Sequence, residues 1–247
     1  MLLAGDAVVL AGGTGRVGGA TLATLVHEGA QVLVVSRARE RAAAAIDAVL
    51  DDDEAAAATP FAADLRVPDQ AAAAIAACVE RFGRIDAVVS LAGDARTAPL
   101  LETSLDDLRY NAVAFTETAY NLALPALRAM LAQAYRDGAR SRGRIVVVTA
   151  GSSKQPAPGR GLFGAAKAAV NVLMQAIARE HKADGIVANA LVLGGVATAA
   201  AQAYLNPEEL AAAATPQEVA DVLAFLASDR SSGINGALVD LNAREVD

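Results

Sequence analysis

The sequence predicts an α/β fold, a doubly wound parallel sheet of about seven strands with helices on both faces. Short apolar runs alternate with helical patterns along all 247 residues, and this alternation is typical of parallel sheets. In addition, the first apolar run, residues 7–10, passes through a glycine cluster directly into a helical pattern. A strand, a glycine turn and a helix in that order are typical of phosphate-binding βαβ units. We therefore expect one domain over residues 1–247.

The glycine cluster lies within residues 7–20, which read AVVLAGGTGRVGGA. Gly12 allows a tight turn, Gly15 leaves room for a pyrophosphate against the backbone, and Gly18 lets the helix pack closely on the strand. The N–H groups at the helix N-terminus would then face the phosphates. A flexible surface loop is the alternative, and the flanking strand and helix argue against it. Three further turn residues are expected to contact a dinucleotide: Thr14, Arg16 and Val17.

The second predicted strand, Gln31–Ser36, ends where a dinucleotide-binding fold meets the adenosine ribose. An acidic residue at this place would bind the 2′-hydroxyl of NAD. Ser36 and Arg37 instead suit a 2′-phosphate, because a guanidinium pairs bidentately with phosphate. The sequence therefore predicts NADP(H) in preference to NAD(H). A solvated surface charge is the alternative for Arg37, and Arg16 either adds a phosphate contact or obstructs the turn.

The later elements are predicted from their own patterns. Gly29 and Gly83 end helices, and residues 144–149 (RIVVVT) form the most strand-like run. The other expected strands are 59–63, 85–91, 186–193 and 236–241. The expected helices are 39–50, a stretch ending at about 81, 105–136, 162–181 and 216–227. Pro125 is expected to kink or divide the long helix, and the acidic run 51–54 to be a solvated turn.

Composition excludes several classes of protein. The net charge is −7 and no Lys/Arg run appears, so we expect no nucleic-acid partner. The single Cys78 permits no internal disulfide and suits a reducing compartment, and no secretory signal is visible, so a cytoplasmic location is expected. Residues 185–207 are uncharged and long enough to cross a membrane, but polar residues and glycines favour a buried strand followed by a loop. His27 and His181 lack further ligands at useful spacing, and no metal site is expected.

In these ordered motifs the chain resembles the short-chain dehydrogenase/reductase family over nearly its whole length. Asp64, followed by Leu65, stands where the family has its adenine-contacting Asp. Ala92 and Gly93 match the end of its Asn-Asn-Ala-Gly motif, with Ser90 and Leu91 in place of the asparagines. Residues 189–198 resemble the segment that closes over the nicotinamide, and residues 228–229 and 236–240 resemble the C-terminal segment. The resemblance thus implies four more cofactor contacts: Gly195, Val196, Thr198 and Lys167, the last of which would hold the nicotinamide ribose.

The resemblance also implies catalytic positions, and at two of them the side chain present here has no proton to exchange. Asn111 matches the helix Asn that helps hold a proton-relay water, and Lys167 matches the Lys of the Tyr-x-x-x-Lys motif. The Tyr of that motif is Phe163 here, and the catalytic Ser, thirteen residues earlier, is Ala150. Loss of a general acid typically costs about 10²–10⁴ in rate. The residues expected to remain catalytic are Lys167, Asn111 and Ser152.

Several hydroxyl groups could replace the missing proton donor. Thr149 points to the opposite face of its strand, whereas Ser152 has the right parity if the backbone stays extended. Tyr110 adjoins Asn111 and should point about 100° away from it. Tyr204 lies in a short apolar lid segment and could fold over the site; such a lid suggests either a small or apolar ligand or a poorly covered site. Three functions stay open: an NADP(H)-dependent oxidoreductase without the Tyr, a catalytically silent dinucleotide-binding protein, or a non-redox reaction in the same pocket.

Assembly is predicted from the family's association through the helices that carry Asn111 and Lys167. These helices keep apolar residues at helical spacing, among them Leu122, Leu127, Leu173 and Ile177. Internal core is the alternative explanation for them. We expect a homodimer or a homotetramer with closed symmetry.

Overall fold

The computed structural model describes residues 1–199, 201 and 206–241. Its centre is one sheet of seven parallel strands in the order β3-β2-β1-β4-β5-β6-β7, which confirms the expected fold class. The strands are β1 (Ala7–Ala11), β2 (Gln31–Ser36), β3 (Ala58–Ala62), β4 (Ala87–Ser90), β5 (Gly143–Ala150), β6 (Ile186–Leu193) and β7 (Leu238–Leu241). The strand order reverses direction between β1 and β4, so a crevice forms there at the carboxyl ends of the strands.

Helices cover both faces of the sheet. They are α1 (Arg16–His27), α2 (Arg39–Asp47), α3 (Asp52–Ala55), α4 (Pro68–Phe82), α5 (Leu105–Asn111), α6 (Thr118–Ala132), α7 (Gly161–Glu180), α8 (Pro207–Ala212) and α9 (Pro216–Ala227). One apolar cluster joins the sheet to α4, α6 and α7, and a second joins it to α1, α2 and α9. Successive side chains of β1 point to opposite faces of the sheet, so Val9 belongs to the first cluster and Val8 to the second.

The long predicted helix divides at a different place from Pro125. It leaves α-helical geometry at Ala112–Glu117, which form a wider π turn, whereas Pro125 lies inside α6. A π turn adds one residue to the helix and so changes which side chains face the sheet on either side of it. The prediction of a division near Pro125 was therefore wrong in position, and the helix ends at Ala132 rather than near 136.

Two short helices were not predicted. The acidic run expected to be a solvated turn begins α3, because Asp51 Oδ1 accepts from the Glu54 N–H (2.9 Å) and Glu54 accepts from the Asp51 N–H (3.1 Å). Asn206 and Glu209 make the same reciprocal contacts at the start of α8. Both sequences carry the capping-box spacing, and this signal would have found both helices.

A network of buried and half-buried charged side chains lies at the amino ends of the central strands, and we name it the amino-edge network: Asp6, Arg84, Asp86, Arg136, Arg144 and Asp229. Arg144 Nη2 donates to Asp6 Oδ2 at 2.9 Å, and Arg136 also pairs with Asp6. Asp86 accepts from the Ala7 N–H (2.9 Å) and pairs with Arg84 (2.8 Å). Burial raises the pKa of Asp6, and Arg144 opposes that rise. The network links β1, β4 and β5 at the edge opposite to the crevice.

Some residues chosen as signs of assembly belong to the core of the chain itself. Leu122, Leu127 and Ile177 are buried between the sheet and its helices, so core packing explains their spacing. Among the described helices, α7 has the length and composition that could cross a membrane, but a core helix of a soluble protein has the same properties. Eight of the 23 residues of the uncharged segment 185–207 form strand β6, as predicted.

Candidate cofactor and active site

A cavity of about 350 Å³ opens at the carboxyl ends of β1 to β4, next to the reversal in strand order. Nine of the residues expected to contact a cofactor line it: Gly12, Thr14, Gly15, Ser36, Arg37, Asp64, Leu65, Ala92 and Gly93. Sequence reasoning missed eight others: Val35, Ala63, Arg66, Leu91, Asp94, Tyr110, Ala114 and Thr118. Several of the missed residues are neighbours of predicted ones at the same strand ends.

The glycine turn forms one wall of the cavity. Gly12 has φ of +86°, and a Cβ there would lie 2.9 Å from the backbone nitrogen of Ala92. A Cβ at Gly18 would overlap the carbonyl oxygen of Gly12, whereas no atom lies within 4 Å of a Cβ at Gly15. Gly15 precedes α1, and no side chain caps the N–H groups of the first turn. These N–H groups can therefore bind an anion such as a pyrophosphate.

Three predicted contacts of the turn lie away from the cavity lining. Arg16 is the first residue of α1 and is exposed, Val17 packs against the second apolar cluster, and Gly18 is buried against the turn backbone. Arg16 is thus near the phosphate end without forming its wall. Gly18 instead sets how closely α1 approaches the turn.

Charged residues gather at the other end of the cavity. Arg37 is exposed at the end of β2 and lies close enough to Asp64 to lower the pKa of its carboxyl group. Hydrogen bonds from the Arg66 guanidinium are the larger cause of that lowering. Arg66 Nε lies 2.9 Å from Asp64 Oδ1, and Arg66 Nη2 lies 2.5 Å from Asp64 Oδ2. Two guanidinium groups therefore flank one carboxylate where the adenosine half of a dinucleotide would lie.

Tyr110 rather than Asn111 faces the cavity. The Tyr110 hydroxyl donates to Asp94 Oδ2 (3.0 Å), and the Arg96 guanidinium lies 4.0 Å from the Tyr110 ring centre. Asn111 is fully buried and donates to the carbonyl oxygen of Arg96 (3.0 Å), while its Oδ1 has no hydrogen-bond partner among the described residues. Residues 110, 114 and 118 share one side of the helix, which we name the helix stripe: Tyr110, Ala114 and Thr118.

Lys167 is enclosed and does not line the cavity. Its Nζ donates to the carbonyl oxygen of Val148 (2.7 Å) and lies 4.3 Å from the ring centre of Phe115. Burial lowers the pKa of Lys167 to about 7. The Phe115 ring also meets Phe163 edge-on, with 5.2 Å between ring centres and 67° between planes. A Cβ at Gly93 would overlap Phe115, so this ring lies between the cavity wall and the amine.

The hydroxyl groups of Thr149 and Ser152 lie at the end of β5 and in the turn that follows it. Ser152 lies in the 3₁₀ turn after β5, and its Oγ is buried without a hydrogen-bond partner in the part that the structure describes. The backbone of Ser152 packs directly against Gly164, the residue after Phe163. Thr149 Oγ is likewise buried without a partner among those residues. Tyr204, the other expected donor, lies outside the described residues.

The segment expected to close over the nicotinamide pairs with another part of the chain. Val196 forms a parallel bridge with Ala214, and the Ala214 N–H donates to the Gly195 carbonyl (3.1 Å). Thr198 Oγ1 accepts from the Ala201 N–H (3.3 Å). Gly195, Val196 and Thr198 do not line the cavity. The described residues include no group of three or more His, Cys, Asp or Glu side chains placed to hold a metal ion.

The fold and the glycine-turn cavity define a dinucleotide-binding α/β protein. A family model described as short chain dehydrogenase matches residues 6–209, so the chain belongs to the short-chain dehydrogenase/reductase family. Members of this family bind a nicotinamide dinucleotide, NAD or NADP, act on small molecules and are typically oligomeric. The overall type is therefore that of a short-chain dehydrogenase/reductase oxidoreductase.

Known proteins resemble the chain over most of its length. Oxidoreductase UcpA of Escherichia coli is 34% identical over 195 residues, 72% of this chain and 72% of its own. An A-factor type gamma-butyrolactone 1′-reductase (1S-forming) of Streptomyces virginiae is 30% identical over 96% of this chain and 93% of its own. A short-chain type dehydrogenase/reductase structure from Mycobacterium ulcerans has a TM-score of 0.87 at 24% identity, covers 98% of this chain and 90% of its own, and supports the fold.

Proposed function

We propose that the protein is an NADP(H)-dependent oxidoreductase whose active site works without the usual Tyr and Ser. The observation that carries this proposal is the cavity between the uncapped start of α1 and the arginines at the ends of β2 and β3. The uncapped helix start suits the pyrophosphate of such a cofactor, and the cationic end suits its 2′-phosphate. When bound, such a cofactor supplies a hydride to, or accepts one from, a carbon atom of the substrate.

The preference for NADP(H) is argued from charge. The chain carries a net charge of −7, yet Arg37 and Arg66 both line the ribose end of the cavity. Ser36 precedes Arg37 where NAD-binding folds place an acidic residue for the ribose 2′-hydroxyl. A guanidinium at this position attracts a 2′-phosphate and forms charge-assisted hydrogen bonds with it. Calorimetric titration tests the proposal, and tighter binding of NADH than of NADPH would contradict it.

The reaction class follows from the missing proton donors. Phe163 and Ala150 have no proton to exchange, so a ketone oxygen would lack its usual general acid. Reduction of an activated carbon–carbon double bond suits the site better, because the hydride goes to one carbon and the proton reaches another. We propose Ser152 or water as the proton source. Asn111 and Lys167 are proposed as positioning residues that act through the Arg96 and Val148 carbonyl groups.

A substrate panel tests this chemistry. NADPH oxidation is followed in the presence of small enones, enals, ketones and aldehydes. We expect turnover of activated double bonds and little turnover of simple ketones. Ser152→Ala should lower that turnover by about 10²-fold or more if Ser152 is the donor. Ser153→Ala is the matched control, because Ser153 is the next hydroxyl in the same turn and its side chain faces Asn171, from whose Nδ2 it accepts a hydrogen bond (2.8 Å).

A second candidate is a catalytically silent dinucleotide-binding protein, a sensor or a partner subunit. The enclosure of Lys167 between Val148 and Phe115 favours it, because the amine does not reach the cavity lining. This candidate predicts tight NADPH binding without turnover of any substrate in the panel. A non-redox reaction in the same pocket would instead consume a substrate without changing NADPH absorbance.

We also propose a homodimer or homotetramer in a reducing, cytoplasmic setting. Tyr120 on α6 and Val172 on α7 are exposed and could bury apolar area between copies. Cys78, the chain's one cysteine, is buried. Light scattering at micromolar concentration tests the assembly, and a monomeric mass would contradict it.

A further inference from the structure

The cationic side chains that line the cavity lie in one half of it. Arg37 and Arg66 follow strands β2 and β3, and the uncapped N–H groups at the start of α1 lie between them and the rest of the site. These groups suit the 2′-phosphate and the pyrophosphate of the adenosine half of a dinucleotide. This assignment rests on the proposed function. The other half of the cofactor, the nicotinamide riboside, needs its own donors to add binding free energy.

Lys167 is the cation that the family resemblance places against the nicotinamide ribose. In the structure the residue is 6% exposed, and its Nζ donates to the Val148 carbonyl oxygen at 2.7 Å. The ring of Phe115 lies over the amine, with 4.3 Å between the ring centre and Nζ. A strand carbonyl and an aromatic ring, both from the chain itself, therefore occupy the surroundings of this amine.

The Phe115 ring is held in place by further contacts. It lies in the π turn Ala112–Glu117, is 5% exposed and meets the Phe163 ring edge-on at 5.2 Å. It also packs directly on Gly93, where a Cβ would overlap the ring, and Gly93 lines the cavity. Turning the ring away from Lys167 would break its contacts with Gly93 and Phe163. The ring is therefore a fixed screen between the cavity wall and the amine.

We propose that Phe115 is a specificity-determining residue that withholds Lys167 from the nicotinamide half of the cofactor. The nicotinamide ribose then meets no ammonium donor, and the side chains at positions 150 and 163, Ala and Phe, offer no hydrogen bond in its place. The adenosine half supplies most of the binding free energy. The site thus binds 2′-phosphorylated adenosine diphosphates as a ligand class, and such a ligand needs no nicotinamide for tight binding.

Isothermal titration of the intact protein compares NADPH with 2′-phosphoadenosine 5′-diphosphate. This fragment keeps both 5′-phosphates of the cofactor and lacks its nicotinamide riboside, and the measured quantity is the ratio of the two dissociation constants. In the wild type we expect the two constants to agree within about tenfold, a smaller difference than a hydrogen bond to a charged group usually makes. A preference for NADPH of more than about tenfold would contradict the role of Phe115 and leave the proposed function intact.

Three variants locate the effect. Phe115→Leu removes the ring from the amine, so NADPH binding should strengthen by about tenfold relative to the fragment. Lys167→Met alone should keep the wild-type ratio, and in the Phe115→Leu background it should abolish the gain. Phe82→Leu makes the same substitution at a half-buried ring outside the cavity lining and should also keep the wild-type ratio.

Binding of the fragment by each variant shows that its cavity is folded. A lost preference for NADPH in Lys167→Met would mean that the amine reaches the cofactor in the wild type, and this result overturns the proposal even where Phe115→Leu does not fold. An unchanged ratio in a folded Phe115→Leu protein overturns it as well. Failure of the wild type to bind either ligand would overturn the proposed function and the role of Phe115 together.

Discussion

The amine of Lys167 lies 4.3 Å from the centre of the Phe115 ring and 2.7 Å from the carbonyl oxygen of Val148. The ring closes one side of the amine and strand β5 closes the other, so water is largely excluded. Desolvation penalises the charged ammonium, and this cause lowers the pKa of Lys167 to about 7. The enclosure thus links a residue of the catalytic motif to the stability of the folded chain.

Lys167→Met should change how stability depends on pH. An unfolded lysine has a pKa of about 10.4, so between pH 7 and 10 the unfolded wild type holds more protons than the folded one. Wild-type stability should therefore gain up to about 1.4 kcal/mol per pH unit from Lys167 as pH rises through this window, a gain that the variant lacks. Below pH 7 the ammonium is charged in both states and the burial penalty is constant.

Urea unfolding of both proteins at pH 6, 8 and 10 measures this difference. Cys78, whose pKa burial raises to about 12, is present in both proteins and cancels in the comparison. Lys182→Met is the control, because Lys182 is exposed. Parallel stability curves for the wild type and Lys167→Met would mean that the folded amine keeps an ordinary pKa.

Two glycines of the turn should separate fold from cofactor binding. A Cβ at Gly18 would overlap the backbone of Gly12 and Gly13, so Gly18→Ala should lower the free energy of unfolding by about 1–3 kcal/mol. Gly15 has φ of −92° and open space around it, so Gly15→Ala should fold normally. Its methyl group should instead weaken NADPH binding by about tenfold or more by holding the pyrophosphate away from the α1 N–H groups.

Thermal unfolding and calorimetry together read out this pair of variants. The informative result is a stable Gly15→Ala protein with weakened binding beside a destabilised Gly18→Ala protein. Normal NADPH affinity in Gly15→Ala would place the pyrophosphate elsewhere in the cavity.

Arg37→Ala should affect NADPH and NADH differently. The loss of charge-assisted hydrogen bonds to a 2′-phosphate should weaken NADPH binding by about 10–100-fold. NADH has no such phosphate, so its dissociation constant should stay the same within about twofold. Parallel titrations of the two cofactors measure this, with Arg41→Ala as the surface control. An equal loss of affinity for both cofactors would mean that Arg37 attracts the cofactor by its charge in general and does not bind the 2′-phosphate.

Phe163→Tyr combined with Ala150→Ser should restore carbonyl reduction. Phe163 stands four residues before Lys167, so a Tyr hydroxyl there returns the missing proton donor to the same side of α7. NADPH oxidation with small ketones should rise by at least about 10²-fold over the wild type. Groups that act as a unit are non-additive, so each single change should do little.

The outcome for this double variant also tests the Phe115 ring. If the variant binds NADPH but stays inactive on every ketone, the enclosure of Lys167 is the next difference from a working site. Adding Phe115→Leu then removes the ring that separates Lys167 from the cavity wall. Continued inactivity of that triple variant would favour the silent-binder candidate.

The sequence was most informative where a local pattern decides the structure. The glycine turn and the apolar strands depend on backbone needs and burial, and the structure has them where they were expected. The direction of the Lys167 side chain depends on the packing of the Phe115 ring, which comes from another helical segment of the chain. A local sequence pattern contains no information about such a contact. The facing of Tyr110 and Asn111 could not be read from spacing either, because it depends on where α5 lies against the loop that carries Arg96. Arg66 was missed although it directly follows the predicted Asp64 and Leu65.

The amino-edge network has a consequence for how this chain can change over generations. The groups that fix β1, β4 and β5 lie at one edge of the sheet, and the ligand cavity lies at the other. A substitution at the carboxyl edge therefore leaves these anchors intact, and a protein with Phe at 163 and Ala at 150 still folds around the same sheet. Such a scaffold keeps its architecture while its chemistry is lost or exchanged, which makes it a ready starting point for new ligands.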